Sequence, residues 1–316
     1  MNLARLGLER RPFRPSPTLE LFVPVPPHEA HLAALRSAFT GGDGIALLDG
    51  SAGTGKSLLA LRFLESLGSE VVPIYVPSSR FAKVADLYQA ILFDLGQPYQ
   101  GLSDNELRLA VTDFLLKSVT DKKQTVLILD EAHHLPVDVL EEIRLLDNWD
   151  ARGTKAMFTV LVAPPELRDR LPRAESLAQR VRCRVRIEPL TEGESLTFLR
   201  AQLEECSRKP DEVMTDEALQ LFAKHGGGVP RVLNQLAATG LNLALDAEQD
   251  SVDVEVAFEA LTQMGITITE TDESAQPAYP AGAARSLTRG DGERGEDREP
   301  ATTKSPKQKA RTRRAA

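Results

Sequence analysis

One glycine-rich segment constrains the fold of this 316-residue chain more than any other feature. It reads G-x-x-x-x-G-K-S and consists of Gly50, Ser51, Ala52, Gly53, Thr54, Gly55, Lys56 and Ser57. An apolar run at residues 45–48 precedes it, and a helical pattern at residues 58–67 follows it. A strand, a glycine loop and a helix in this order are typical of a phosphate-binding P-loop. The sequence therefore predicts a site for a nucleoside triphosphate.

The residue types of the loop suit phosphate groups. Its glycines allow positive φ angles and bring backbone N–H groups close to phosphate oxygens. The following helix adds the partial positive charge of its N-terminus. We expect Lys56 to reach the β- and γ-phosphates and the Ser57 hydroxyl to bind Mg²⁺.

A second motif supplies acidic residues at the end of a buried strand. Residues 125–129 are largely apolar and lead directly into Asp130 and Glu131. Buried parallel strands read as such runs, and their carboxyl ends meet at the ligand crevice. We expect Asp130 to hold Mg²⁺ and Glu131 to orient the attacking water, which favours hydrolysis over nucleotide sensing alone.

The acidic motif continues as D-E-A-H-H, with His133 and His134 adjacent. The D-E-A-H letters occur in superfamily 2 helicases, but the remaining chain is too short for two lobes and a second set of arginine motifs. Because the histidines are neighbours in sequence, we expect their rings to point in different directions and not to share a metal ion.

The amino-acid composition indicates the compartment in which the protein is expected. Two cysteines, Cys183 and Cys206, fit neither a disulfide framework nor a metal motif, so a reducing compartment is expected. No apolar stretch approaches the eighteen residues of a membrane-spanning helix. The expectation is a cytoplasmic protein without a transmembrane segment.

The tail has a composition of its own. Residues 270–316 carry 8 acidic and 10 basic side chains, and residues 304–314 carry six basic ones and no acid. Because this segment is polar and rich in glycine and proline, we expect it to be disordered. A basic end can contact nucleic acid or an acidic membrane surface. A solvated tail without a specific partner is the favoured interpretation.

Strand and helix patterns alternate along the first half of the chain. Strands are expected at residues 45–48, 71–76, 125–129, 156–162 and 184–187, with helices at 58–67, 81–95, 104–118 and 137–147. This alternation predicts an α/β fold with a parallel sheet covered on both faces. After Pro189 the patterns are helical only. Four segments follow: an N-terminal arm with a first helix (1–40), an α/β domain (41–189), a helical lid (190–268) and the tail (269–316).

A P-loop domain followed by a helical lid resembles an AAA+ ATPase, and the resemblance gives two arginines a role. Arg231 follows the G-x-P stretch at the entry of a lid helix, where AAA+ proteins place an arginine that reaches the γ-phosphate. Arg180 precedes the last strand, where they place an arginine finger that acts on a neighbouring subunit. A solvent-facing role stays open for both, more so for Arg180 because arginines 182, 184 and 186 follow it.

Further motifs resemble one branch, the ExeA/GspA-type ATPases of the general secretion pathway, which is also the branch of the TniB- and MuB-type transposition ATPases. They are the L-G-L and R-P-F elements at residues 6–13, the P-H-E-A helix start at 27–30, the P-loop, D-E-A-H-H-L at 130–135, P-E-L-R at 165–168, L-A-Q-R at 177–180 and G-G-V-P-R at 227–231. The resemblance implies a five-stranded AAA+ core, ATP and Mg²⁺ as ligands, and a homo-oligomer in which Arg180 acts in trans.

One position departs from the branch. Its members usually follow the fourth strand with G-Q-P-E-L, whereas this chain has A-P-P-E-L, so Pro164 stands where a polar sensor is expected. A proline side chain cannot contact a phosphate or a water by hydrogen bonding. This difference predicts slow hydrolysis.

Three functions follow from these observations. The leading hypothesis is an ATPase that couples hydrolysis to remodelling or assembly of an unidentified protein partner. A DNA-associated regulator of transposition or recombination is the first alternative, and a signalling switch that hydrolyses ATP rarely is the second. Phe13, Phe22 and Val23 are expected to latch the N-terminal arm onto the domain; packing beside adenine is the alternative.

Overall fold

Alternating strands and helices build a single parallel sheet from the first two thirds of the chain. A computed structural model describes residues 3–14, 19, 22–151, 154–171 and 175–266. The predicted disorder of segment 269–316 concerns residues outside this described part. Within Met1–Asp272 the chain forms one compact unit, and the predicted boundaries at residues 40, 189 and 268 stay predictions.

The main sheet has the strand order β2-β3-β6-β1-β7, and all of its neighbouring strands run parallel. The strands of the described residues are β1 (Ile45–Gly50), β2 (Val71–Val76), β3 (Gln124–Leu129), β4 (Asp150–Ala151), β5 (Thr154–Lys155), β6 (Met157–Ala163) and β7 (Val181–Ile187). Strands β4 and β5 form a separate antiparallel pair. The predicted five-stranded parallel sheet is thus confirmed, and the short antiparallel pair is an addition that the patterns did not indicate.

Helices cover the sheet and then continue alone. They are α1 (Pro26–Thr40), α2 (Lys56–Glu65), α3 (Val84–Asp94), α4 (Asp104–Thr120), α5 (Val137–Leu146), α6 (Pro165–Arg170), α7 (Glu175–Ala178), α8 (Glu192–Glu204), α9 (Pro210–Val213), α10 (Asp216–His225), α11 (Pro230–Asp246) and α12 (Val254–Gln263). Ser103 and Thr191 cap α4 and α8 in capping boxes with Glu106 and Glu194, as S-x-x-E and T-x-x-E predict.

Strand β7 begins three residues earlier than predicted. It lies at the edge of the sheet beside β1, and its side chains alternate between buried and exposed positions. Arg182, Arg184 and Arg186 occupy the exposed positions. An edge strand tolerates such polar positions, so the first half of β7 does not form the apolar run from which a strand is predicted.

Two apolar layers sandwich the sheet. All residues of β1 and β6 are buried, as expected for parallel strands that are covered on both faces. On one face, Phe158 of β6 meets the rings of Phe39 and Phe63 edge-on, with centroids 5.7 and 6.1 Å away. On the other face, helices α3, α4 and α5 bury residues such as Leu87, Leu115 and Ile143.

Helices α8 to α12 enclose a core of their own, which we call the lid core. It contains fully buried side chains such as Leu199, Phe222 and Leu236. The N-terminal arm joins this core through Leu6, Leu8, Phe13, Val23 and Val25. Phe22 packs instead against the α1 and α2 face of the sheet. The described part of the arm therefore latches mainly onto the lid helices.

Replacing Phe158 with alanine should lower the free energy of unfolding by about 3–5 kcal/mol, because a fully buried aromatic side chain leaves a cavity. The matched control is Phe93→Ala, since Phe93 is 68% exposed and its loss should cost about 0.5 kcal/mol or less. Urea unfolding followed by circular dichroism measures both. Equal effects of the two substitutions would contradict the described core.

Candidate nucleotide-binding site

The P-loop follows β1 and runs directly into α2. Gly55, the residue before this helix, has φ of +93°, and a Cβ there would meet no atom within 4 Å. The glycine thus supplies a left-handed backbone that faces open space, as a loop that wraps around a phosphate requires. Helix α2 begins at Lys56, two residues before the predicted start, and the first N–H groups of a helix have no partner within it.

Lys56 reaches across the loop. Its Nζ donates to the Ser51 carbonyl oxygen at 2.8 Å, and the Thr54 hydroxyl donates to the same oxygen at 2.9 Å. Burial lowers the pKa of Lys56, while the nearby carboxylates of Glu131 and Asp130 raise it. Both acids of the second motif therefore act on the charge of this ammonium group.

Asp130 is buried and tightly hydrogen-bonded. The Tyr75 hydroxyl donates to its Oδ2 at 3.0 Å, and the Glu131 backbone N–H donates to its Oδ1 at 2.8 Å. The Ser79 hydroxyl donates to its backbone carbonyl oxygen at 2.6 Å. Burial and the Asp130 carboxylate raise the pKa of Tyr75, so its hydroxyl stays protonated as the donor. Tyr75 and the Glu131 N–H thus fix the carboxylate, and Ser79 fixes the backbone of the same residue.

Glu131 has a backbone conformation that is uncommon for a residue other than glycine. Its φ is 54° and its ψ is 36°, in the left-handed region. Such a residue costs about 1 kcal/mol or more and persists only where its surroundings enforce it. The Arg170 guanidinium stabilises the turn that follows Glu131, because it donates to the carbonyl oxygens of His133 and Leu135, the latter at 3.3 Å. Helix α6 therefore holds the turn that carries Glu131.

His133 and His134 lie side by side on a short 3₁₀ turn, Ala132–His134. Their ring centroids are 3.8 Å apart, so the expectation that the rings point in different directions is wrong. The left-handed Glu131 residue and the tight turn after it bring the two rings together. Local desolvation and the neighbouring His133 and Arg80 lower the pKa of His134.

Helix α6 also contacts the strand before the P-loop. An Arg168 guanidinium nitrogen lies 3.0 Å from the buried Asp49 carboxylate, one residue before Gly50. Burial raises the pKa of Asp49, and the Arg168 charge opposes this rise. Pro164, the residue before α6, follows β6 between the ends of β1 and β3. The helix thus spans both motifs, although the Pro164 side chain has no donor or acceptor.

The lid approaches the P-loop at the start of α11. The Arg231 backbone N–H donates to the Gly53 carbonyl oxygen at 3.2 Å, and its side chain is exposed. The charge of Arg231 lowers the pKa of Lys56, after the larger effect of burial. Nearby, the Leu190 N–H donates to the Gly228 carbonyl oxygen at 2.8 Å. The start of α11 therefore places Arg231 beside the P-loop.

Arg180 lies at the opposite end of the sheet from the P-loop. It immediately precedes Val181, which pairs with Ile45 at the start of β1, whereas the P-loop follows the end of β1. Five residues of strand separate the two ends by about 16 Å. The Arg180 guanidinium lies 3.3 Å from Asp147, which also meets Lys155 at 3.2 Å. Within one chain, Arg180 points away from the site that Lys56, Asp130, Glu131 and Arg231 approach.

Known proteins resemble this chain in sequence. Residues 40–171 match the family described as an AAA domain. General secretion pathway protein A of Aeromonas hydrophila is 32% identical over 240 residues, which make up 74% of this chain. The chain is an AAA+ protein of the general secretion pathway protein A type. It covers 43% of that relative's length.

Solved structures support the same fold at lower sequence identity. Cdc6p from Pyrobaculum aerophilum superimposes with a TM-score of 0.66 and 18% identity, covering 79% of this chain and 70% of that one. The Aeropyrum pernix ORC2 protein, solved with ADPNP and ADP, gives 0.62 and 19%, covering 75% and 66%. In the described part of this AAA+ protein, no helix is long and apolar enough to cross a membrane.

Several residues of this site carry no recognisable sequence signal. Tyr75, Ser79 and Arg170 bind the acidic motif from segments remote in sequence, and only the fold brings them there. The histidine pair was visible in the sequence, but its geometry depends on the conformation of Glu131.

Gly228→Ala should lower the free energy of unfolding by about 2 kcal/mol or more, because its Cβ would lie 2.0 Å from the Leu190 carbonyl oxygen and its φ is +69°. Gly193→Ala is the control. It lies within α8, where a Cβ meets no atom within 4 Å, so it should stabilise by about 0.5–1 kcal/mol. Chemical unfolding of both variants measures this difference, and equal effects would refute the tight contact between Gly228 and Leu190.

Proposed function

We propose that this AAA+ protein binds ATP with Mg²⁺ at the P-loop, hydrolyses it, and couples hydrolysis to the assembly or remodelling of a protein partner. The observation that carries the proposal is the charge environment of Lys56. Burial lowers its pKa, the carboxylates of Glu131 and Asp130 raise it and the charge of Arg231 lowers it, so three other candidate groups act on one ammonium. An anion that bridges Lys56 and Arg231 beside two acids and a metal ion matches the triphosphate of a nucleotide.

The phosphates would lie on residues 50–57. The glycine backbone and the first N–H groups of α2 offer donors for their oxygens, and the partial charge of the helix favours an anion. Lys56 now donates to the Ser51 carbonyl. A phosphate oxygen is a stronger, charged acceptor for the same group. Adenine as the base is proposed from the family alone.

The donor atoms at Asp130 and Ser57 suit Mg²⁺. A carboxylate and a hydroxyl are the oxygen ligands that this ion takes, usually together with water and substrate phosphates. The hydrogen bonds from Tyr75 and from the Glu131 backbone fix the Asp130 carboxylate and still leave it lone pairs. Bound there, Mg²⁺ would neutralise charge on the phosphates.

Glu131 would orient the water that attacks the γ-phosphate. The fixed left-handed backbone, held by Arg170 through the following turn, aims this carboxylate before substrate arrives. A carboxylate that is positioned in advance lowers the activation barrier, because it does not have to reorganise during the reaction. Lys56 would neutralise charge that develops on the phosphate oxygens. The products are ADP and inorganic phosphate.

Two arginines would link hydrolysis to movement and assembly. Arg231 would contact the γ-phosphate from the lid, so that loss of this phosphate releases α11 from the loop. Arg180, at the far end of the sheet, would reach the site of a neighbouring copy in a homo-oligomer. Its pairing with the buried Asp147 sets its direction in the single chain.

We place this activity in the cytoplasm, because both cysteines of the described chain are free thiols.

Pro164 favours one alternative function, a switch that binds ATP and rarely hydrolyses it. The strand end between the two motifs offers no polar side chain at this position. The DNA-associated alternative rests on the resemblance to transposition ATPases. ATPase measurements with variants and with duplex DNA separate the three functions.

Steady-state ATPase of the full chain should fall about 100-fold or more in Glu131→Gln, the range that a positioned acid or base supplies. ATP affinity should be nearly unchanged in this variant. Glu65→Gln on α2 makes the same charge change at an exposed ion pair with Arg62 and should retain activity. Tight ATP binding with equally negligible hydrolysis in wild type and both variants would instead support the switch.

Activity should also rise more than linearly with protein concentration, because each site would need Arg180 of a neighbour. Mixing Glu131→Gln with Arg180→Ala should restore part of the activity, since one mixed interface combines an intact Glu131 with an intact arginine. Linear concentration dependence without such complementation would exclude the shared site. Stimulation by duplex DNA that declines steeply with salt would favour the DNA-associated function.

A further inference from the structure

We infer that Glu131, His133 and His134 form a binding site for a transition-metal dication of the zinc class, separate from the Mg²⁺ position. One donor atom from each of these residues lies within 4.8 Å of the other two. No other group of three or more histidine, cysteine or acidic residues in the described chain meets this criterion.

The distances within the cluster suit metal coordination. His133 Nδ1 lies 3.4 Å from Glu131 Oε2. Tetrahedral zinc with bonds of about 2.0–2.1 Å places neighbouring ligand atoms about 3.3 Å apart. The two rings have centroids 3.8 Å apart and planes tilted by 40°, which brings His134 to the same side. Modest side-chain rotation would then place all three donors around one ion.

One donor atom has no other partner. His133 Nδ1 is buried, and it accepts or donates no hydrogen bond among the described residues. A buried polar atom in this state is uncommon, and a ligand is one explanation for it. A metal ion at the position equidistant from Nδ1 and the Glu131 carboxylate would satisfy it.

The ligand set distinguishes this site from the Mg²⁺ position. Two imidazoles and one carboxylate are ligands that zinc and its neighbours in the first transition row accept, with water in an open fourth position. Mg²⁺ prefers oxygen atoms alone, as Asp130 and Ser57 offer. The two sites would therefore select different ions, although Asp130 and Glu131 are adjacent.

The backbone holds the ligands in place. Glu131 is fixed in the left-handed region, the 3₁₀ turn follows at once, and Arg170 donates to the His133 carbonyl oxygen. Little conformational freedom of the backbone would be lost on binding. The guanidinium groups of Arg170 and Arg80 lie close enough to lower the pKa of His134, so they also oppose a dication. We therefore expect reversible binding.

Binding would inhibit hydrolysis, a consequence that rests on the proposed function. A Glu131 carboxylate that is bound to a metal ion cannot orient the attacking water. Removal of the ion would release the carboxylate at once. The cluster would thus make the ATPase sensitive to free zinc through the same residue that catalysis requires.

Isothermal titration of the full chain with Zn²⁺, without nucleotide, tests the site itself. We expect one ion per chain, with affinity reduced at least about tenfold in His133→Ala and in His134→Ala, as loss of a ligand should exceed loss of an outer partner. His31→Ala on α1 is the matched control and should bind as wild type does. Co²⁺ as a probe should give the visible absorption of a low-symmetry nitrogen and oxygen site, which the two histidine variants lose.

ATPase assays with fixed excess Mg²⁺ test the consequence. Zn²⁺ should inhibit wild type, a chelator should restore activity, and His134→Ala should resist inhibition relative to its own zinc-free rate. Wild-type binding that is unchanged in both histidine variants would overturn the site, whatever the activity. Zinc binding that depends on the histidines, in a protein that never hydrolyses ATP, would leave the site standing and refute the proposed function instead. Hydrolysis that zinc leaves unaffected would refute inhibition.

Discussion

Burial of the central sheet on both faces is the constraint on which the rest of the structure depends. Strands β1, β3 and β6 are enclosed by helices along nearly their whole length, so their sequences are apolar almost throughout. Polar residues are then tolerated mainly where the strands end. Because parallel strands end at the same edge, the glycine loop and Asp130 come together without being close in sequence.

Helix α6 contacts both motifs at this edge of the sheet. Arg168 compensates the buried charge of Asp49, and Arg170 holds the turn after Glu131. A helix of six residues thus contacts the strand before the P-loop and the turn after Asp130. This arrangement keeps a strained Glu131 backbone at the candidate site, and strain of this kind is stored where a precise side-chain direction is needed. The same arrangement brings the histidines to Glu131.

The sequence allowed the parallel sheet, the P-loop and the acidic strand end to be predicted, because each has a local pattern with one physical meaning. The start of β7 was missed because arginines alternate along an edge strand. Tyr75 and Arg170 could not be found because their roles depend on tertiary contacts. The error on His133 and His134 had a similar origin: adjacency predicts diverging rings only for a regular backbone, and Glu131 is left-handed.

Hydrogen–deuterium exchange of the full chain tests most directly whether nucleotide connects the P-loop to the lid. Exchange should slow at residues 50–57 with both ADP and a non-hydrolysable ATP analogue, and at the start of α11 only with the triphosphate analogue. Arg231→Ala should abolish the second effect and retain the first, because the Gly53 contact uses only its backbone. Unchanged exchange at residues 50–57 with either nucleotide would contradict the account.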